Sequence, residues 1–299
     1  MSIRFDDQVV IVTGAGGGLG RAHALAFAAR GAKLVVNDLG QGGAASAAAI
    51  RVAEEIRALG AEAIADGANV TDYAQVEAMV GAAMARWGRV DVLVNNAGIL
   101  RDKTFAKMDL ADFRLVLDVH LMGSINATKA VWEIMRAQNY GRIVMTTSSS
   151  GLYGNFGQAN YGAAKLALVG AMQTLGLEGE RYNIRVNSLA PTAATRMTEG
   201  LMDEAALARL APELVSPGVL FLASKNAPTR CILAAGAGGF EVANITLTRG
   251  IHATGEDAAD QIEAHFAQVT DRAGEQVPQS GAAQAALELG KLDLMSADA

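Results

Sequence analysis

One cysteine, five prolines and an aromatic share of 5% stand among 299 residues. A lone thiol, Cys231, cannot close a disulfide within the chain, which excludes the disulfide-stapled class. So few prolines leave no proline-rich linker, and no composition break splits residues 1–240. No stretch reaches the roughly 20 uninterrupted apolar residues of a membrane span. Basic clusters are missing too: 25 Lys and Arg are outnumbered by 31 Asp and Glu, for a formal charge of −6. That balance argues against nucleic acid or an anionic membrane as the main partner. The N-terminus enters a strand pattern too soon for a signal peptide, and the C-terminal Ser-Ala-Asp-Ala is not a Ser-Lys-Leu type of address. The expected compartment is the cytoplasm.

Aliphatic material is what the chain has. Hydrophobic residues make up 51% and charged ones 19%, enough for a large core and unlike a disordered chain. Short β-branched runs at Gln8–Thr13, Lys33–Asn37, Val90–Asn95, Arg142–Thr147 and Ile184–Leu189 read as strands covered on both faces. Weaker strands at Glu62–Ala65 and Cys231–Ala235 fill the third and seventh places. Helical stretches lie between them at Leu19–Arg30, Ala44–Leu59, Tyr73–Trp87, Leu110–Gln138 and Gln158–Arg181. Regular alternation of this kind predicts an α/β fold. It is a doubly wound parallel sheet of the Rossmann type, with seven strands and helices on both faces. Residues 1–250 form that domain. Residues 251–299 are expected as a helical tail, with helices at Glu256–Val269 and Ala282–Leu289, packed on the domain or on a neighbouring subunit.

The first strand runs into Thr13-Gly14-Ala15-Gly16-Gly17-Gly18-Leu19-Gly20 and then directly into a helix. Glycines let the backbone turn sharply and approach a pyrophosphate seated on the helix N-terminus. Gly14, Gly18 and Gly20 stand at a spacing that differs from the common GxGxxG. The next strand ends in Asp38, whose carboxylate suits an adenosine ribose and repels a 2′-phosphate, so NAD is favoured over NADP. Tyr161 and Lys165, four residues apart, share a helix face. An ammonium beside a phenol favours the phenolate and lowers the tyrosine pKa. Ser148 ends the fifth strand, and Asn95-Asn96-Ala97-Gly98 ends the fourth at the same sheet edge, where open α/β sheets hold their ligands.

Taken in order, TGxxxGxG, NNAG, Ser148 and YxxxK resemble the short-chain dehydrogenase/reductase family. The resemblance implies that Ser148 holds the substrate oxygen and Tyr161 passes the proton. Lys165 would bind the nicotinamide ribose, and hydride would move between the substrate carbon and the nicotinamide. It also implies a dinucleotide path over Gly14, Gly18, Leu19, Gly20, Asp38, Asn69, Val70, Asn95, Ala97 and Gly98, reaching Pro191, Thr192 and Thr195 past the sixth strand. Further stretches, NDLG at Asn37–Gly40, NNAGILRD at Asn95–Asp102 and YGNFGQANY at Tyr153–Tyr161, are similar to the (3R)-hydroxyacyl-CoA dehydrogenase regions of multifunctional enzymes. That narrower likeness implies a 3-hydroxyacyl-CoA and its 3-oxo form as the substrate pair. A 17β-hydroxysteroid or other hydrophobic-alcohol dehydrogenase, a carrier-protein reductase and a non-catalytic NAD-binding scaffold are the rival readings. The family also implies a homodimer or homotetramer.

His120 occupies the place where many family members carry an asparagine that positions a water near the lysine. It either stands in for that residue, by ring or backbone carbonyl, or is a histidine satisfied at a helix interface. Residues 196–213 are expected as an apolar substrate lid. The histidines at 23, 120, 252 and 265 show no ligand spacing, so no metal is expected. Asn126, His23 and the methionines read as packing residues, and Cys231 as an inert buried thiol.

Overall fold

A computed structural model of the chain describes residues 2–194, 207 and 209–297. Seven strands are β1 (Val9–Val12), β2 (Lys33–Asn37), β3 (Ala63–Asp66), β4 (Val92–Asn95), β5 (Gly141–Thr146), β6 (Ile184–Thr192) and β7 (Ile232–Gly236). They lie parallel in the order β3-β2-β1-β4-β5-β6-β7. Every residue of β1, β4 and β5 is buried, which is why these strands read as unbroken apolar runs. The order reverses between β1 and β4, and that switch point opens a crevice at the C-terminal strand ends.

The expectation of seven strands falls one short. An eighth, β8 (Gly239–Ala243), lies beside β7 at the sheet edge. The two residues joining them, Ala237 and Gly238, both have positive φ (51° and 80°). A link that short makes a hairpin, so β8 is an antiparallel edge on an otherwise parallel sheet. Phe240 and Val242 are partly exposed on it, so β8 lacks the apolar run of an inner strand.

Helices α1 (Gly18–Ala28), α2 (Ala47–Ala58) and α3 (Tyr73–Trp87) follow the first three strands. Residues 110–138, expected as one helix, form α4 (Leu110–Leu117) and α5 (Gly123–Gln138) with a π turn over Asp118–Met122 between them. At that turn the Ser124 hydroxyl donates to the His120 carbonyl at 2.7 Å. Short α6 (Ser149–Tyr153) precedes the long α7 (Ala159–Gly179), and α8 (Ser216–Leu222) packs against α1. Side chains cap α2, α3 and α4 through Ser46, Asp72 and Asp109. Helix α1 begins after Gly17 with no side-chain cap, which leaves its first N–H groups for another acceptor.

The core is aliphatic, with Phe5 set edge-on to Phe27 at 4.7 Å. Arg142 is a charge buried wholly inside it. The Arg142 guanidinium donates to the carbonyls of Gly141, Asn183, Ser224 and Lys225 at 2.7–2.9 Å. It thereby ties the base of β5 to the loops after α7 and α8.

The chain divides into two compact units, Met1–Val242 and Ala243–Ala299. The second contains helices Ala258–Ala264, Phe266–Val269 and Gly281–Ala297, and one antiparallel bridge from Leu247 to Gln276. Its last helix extends well past the expected Ala282–Leu289. Among the described residues no helix is long and apolar enough to cross a membrane.

Candidate active site

At the switch point the glycine loop is held by close approaches that leave no room for a side chain. A Cβ on Gly14 would lie 2.8 Å from the Ala97 Cα, and one on Gly20 2.3 Å from the Gly14 carbonyl oxygen. Both Gly14 and Gly18 have positive φ, 63° and 50°. Asp38, at the end of β2, accepts from the Gly16 N–H at 2.9 Å and from the Ser46 hydroxyl at 3.4 Å. Two residues outside the expected set tie the loop to β4. Asn96 Nδ2 donates to the carbonyls of Thr13 (2.9 Å) and Gly14 (3.1 Å). The Thr13 hydroxyl accepts from the N–H groups of Asn96 and Ala97. Uncapped α1 opens directly above this loop.

Seven of the expected residues meet around one cavity of about 200 Å³: Leu19, Gly98, Ser148, Tyr161, Lys165, Pro191 and Thr192. Ser148 and Lys165 are buried and Tyr161 is partly so. Ser148 caps α6 by accepting from the Ser150 N–H at 3.2 Å. Lys165 Nζ donates to the Thr146 carbonyl at 2.6 Å and lies 5.5 Å from the centre of the Tyr161 ring. Burial drags the Lys165 pKa down to about 7.

The expected lowering of the Tyr161 pKa is not what the site shows. Burial of the phenol raises it, Ser148 pulls it back by hydrogen bonding, and the negative charge of Asp102 adds to the rise. A lysine whose own charge is disfavoured by burial is a weak source of the opposite effect.

His120 is buried beside the cavity, its ring edge-on to Tyr161 at 5.1 Å. Its Nε2 lies 2.8 Å from the Ile99 carbonyl oxygen and 3.1 Å from the Ile99 nitrogen, while Nδ1 has no partner. Burial, then the Lys165 charge, depress its pKa to about 3, so the ring is neutral. A Cβ on Gly98 would fall 2.2 Å from the His120 Cε1, so Gly98 makes room for this ring. The His120 carbonyl is already bonded to Ser124.

Other expected residues stand apart from the cavity. Asn95 is buried behind it, donating to Thr128 Oγ1 at 3.1 Å and Met145 Sδ at 3.3 Å. Asn69 closes a turn after β3 by accepting from Thr71 through both N–H and hydroxyl. Buried Val70 offers its carbonyl to Asn126 Nδ2 at 2.9 Å, which gives Asn126 the packing role expected for it. Thr195 and most of the expected lid lie outside the described residues. Cys231 is half-buried just before β7 and its thiol pKa is raised by burial.

Comparison with known proteins adds to this geometry. A family model described as short chain dehydrogenase matches residues 8–206. Peroxisomal multifunctional enzyme type 2 of Drosophila melanogaster is 51% identical over 228 residues, 75% of this chain and 38% of that protein. The solved full-length structure of that enzyme superposes with a TM-score of 0.81 at 37% identity, covering 97% of this chain and 50% of the other. A 7α-hydroxysteroid dehydrogenase complexed with NADH and a 7-oxo bile acid gives a TM-score of 0.72 at 30% identity, covering 79% and 95%. The chain thus spans about two fifths of the length of the Drosophila relative that it matches.

Proposed function

Because this chain belongs to the short-chain dehydrogenase/reductase family and is an oxidoreductase acting on CH–OH groups, we propose that it interconverts 3-hydroxyacyl-CoA and 3-oxoacyl-CoA with NAD. The observation that carries the reading is the meeting of Ser148, Tyr161 and Lys165 around one cavity beside a glycine loop and an uncapped helix. Likeness to the multifunctional enzymes supports the substrate class, and the NADH-bound neighbour supports the cofactor.

The residues present fit a dinucleotide. The loop Gly14–Gly20 and the first N–H groups of α1 would hold its pyrophosphate, Asp38 the adenosine ribose, and Lys165 the second ribose. Bound there, the nicotinamide supplies a hydride acceptor or donor for the substrate carbon. Ser148 orients the substrate oxygen, and Tyr161 takes the hydroxyl proton in oxidation or returns it in reduction. Lys165, with its Nζ 5.5 Å from the centre of the Tyr161 ring, stands where it can bridge that second ribose and the phenol, and neutral His120 packs the Tyr161 ring in place. A phenol with raised pKa makes oxidation speed up toward alkaline pH. The exposed Leu110, Leu115, Met122, Leu166 and Leu177 on α4, the π turn and α7 support a homo-oligomer, tested by light scattering. The names of the multifunctional relatives say peroxisomal of those proteins; fractionation tests the cytoplasmic expectation for this one.

Steady-state oxidation of (3R)- and (3S)-hydroxyacyl-CoA and of estradiol, each with NAD and NADP, tests the proposal. The expected result is a preference for the 3R thioester with NAD. It is accompanied by loss of turnover in Tyr161→Phe while NADH still binds. Activity on estradiol alone would withdraw the acyl-CoA assignment, and full turnover by Tyr161→Phe would overturn the proton-transfer role.

A further inference from the structure

Gln158 stands three residues before Tyr161, at the entrance of α7, and forms part of the same cavity wall. It is only 7% exposed. Its neighbours decide which way its amide points. Oε1 accepts from Ser150 Oγ at 2.8 Å and from Asn155 Nδ2 at 3.0 Å, while Nε2 donates to Asp102 Oδ2 at 2.6 Å. The flipped amide would set an NH₂ against the NH₂ of Asn155 and an oxygen against a carboxylate, so one orientation satisfies all four groups.

In that orientation both acceptor sites of the oxygen are filled, whereas a primary amide nitrogen carries two hydrogens. One goes to Asp102. The other has no partner among the described residues, and the side chain borders the cavity that holds Ser148 and Tyr161. The wall therefore offers two places for substrate oxygen: the Ser148–Tyr161 pair and a locked amide donor. A 3-hydroxyacyl thioester has two oxygens to offer such a wall, the reacting one on C3 and a carbonyl on C1. An isolated secondary alcohol has only the first.

We propose that Gln158 is a specificity-determining residue that donates its second Nε2 hydrogen to the thioester carbonyl, with Asp102 as the positioning residue that locks the amide. The proposal rests on the acyl-CoA reading above. A donor left unpaired by a substrate that lacks the matching acceptor is a strong source of discrimination. Asp102 lies at the surface end of this chain of contacts and touches no reacting atom.

The test compares (3R)-3-hydroxybutyryl-CoA with its thioether analogue, in which a methylene replaces the C1 carbonyl, on wild type, Gln158→Met and Asp102→Asn. Circular dichroism and NADH titration establish that each variant is folded. In wild type the carbonyl is expected to be worth about 10- to 100-fold in kcat/KM, and in Gln158→Met that advantage is expected to vanish. The loss is expected to be larger on the thioester than on the thioether. Asp102→Asn, which frees the amide to flip, is expected to lose part of the same advantage. An advantage that persists in Gln158→Met, or an equal loss on both substrates, would overturn the proposal while the acyl-CoA reading stands. A wild type that prefers steroid over both CoA compounds would instead bring down the acyl-CoA reading and this inference with it.

Discussion

Replacing Lys165 with methionine removes a buried charge while keeping the length of the side chain, and its effect on stability can be worked out with its sign. In the folded chain the ammonium donates to the Thr146 carbonyl, and among the described residues no carboxylate pairs with it. Burial sets its pKa at about 7, against 10.5 for the unperturbed group. Above pH 10.5 both folded and unfolded chains hold the neutral amine, and the group adds no pH dependence. As pH falls from 10.5 toward 7 the unfolded chain takes up a proton that the folded chain refuses, so stability drops. Below 7 both states are charged and the loss is complete. At about 1.4 kcal/mol per pKa unit, the whole penalty is about 5 kcal/mol, of which about 4 kcal/mol falls between pH 6 and pH 10. Urea unfolding of wild type and Lys165→Met at those two pH values measures it. Wild type should gain about 4 kcal/mol relative to the variant on going from pH 6 to pH 10, every other titration cancelling in the difference. Parallel stability curves would refute the reasoning, because they would mean that Lys165 titrates normally in the fold. The variant should also lose turnover, so that a residue held at the expense of stability is held for chemistry.

Gly20→Ala drives a methyl group into the Gly14 carbonyl, and should weaken NADH binding in a fluorescence titration and lower stability by about 1–3 kcal/mol. Arg142→Met strands four buried carbonyls. It should cost about 3 kcal/mol or more in urea unfolding, yet leave kcat close to wild type because the guanidinium lies at the opposite end of β5 from Ser148. His23 shares a hydrogen bond with Ser216 inside the core, and burial holds its pKa at about 3. Below pH 6.5 the unfolded chain gains a proton there that the folded chain refuses, so stability should fall by about 2 kcal/mol between pH 7.5 and pH 5. His23→Leu should remove that share of the slope.

Much of the site was legible because its parts are local. A glycine loop between strand and helix, an acid at the end of β2, and a tyrosine and lysine four apart on one helix each follow from spacing along the chain. Where long-range packing intervenes the reading fails. The π turn at Asp118–Met122 sits inside a stretch whose apolar periodicity continues through it, so nothing local marks the break. β8 was missed because a short strand exposed at the sheet edge has no apolar run. Asn95 belongs to the NNAG motif, yet its side chain turns inward to Thr128 and Met145, while its neighbour Asn96 holds the glycine loop. Two adjacent asparagines carry no difference in sequence that assigns those tasks.

The titration of the site divides in the same way. Position along the chain places Lys165 one turn from Tyr161, and that geometry alone argues for a lowered phenol pKa. Burial reverses it, because the cost of charge in a dry site depends on everything packed around it, including residues far away in sequence such as Asp102 and His120. The locking of Gln158 by Ser150, Asn155 and Asp102 has the same origin: the amide points one way only because a carboxylate 56 positions earlier is folded against it. What the amino-acid order determined by itself was the set of groups and the sheet edge on which they gather, since strand, turn and helix are short-range choices. Which of those groups are charged, which are already bonded and which remain free was decided only by the tertiary structure, because solvation and hydrogen-bond satisfaction belong to the whole fold.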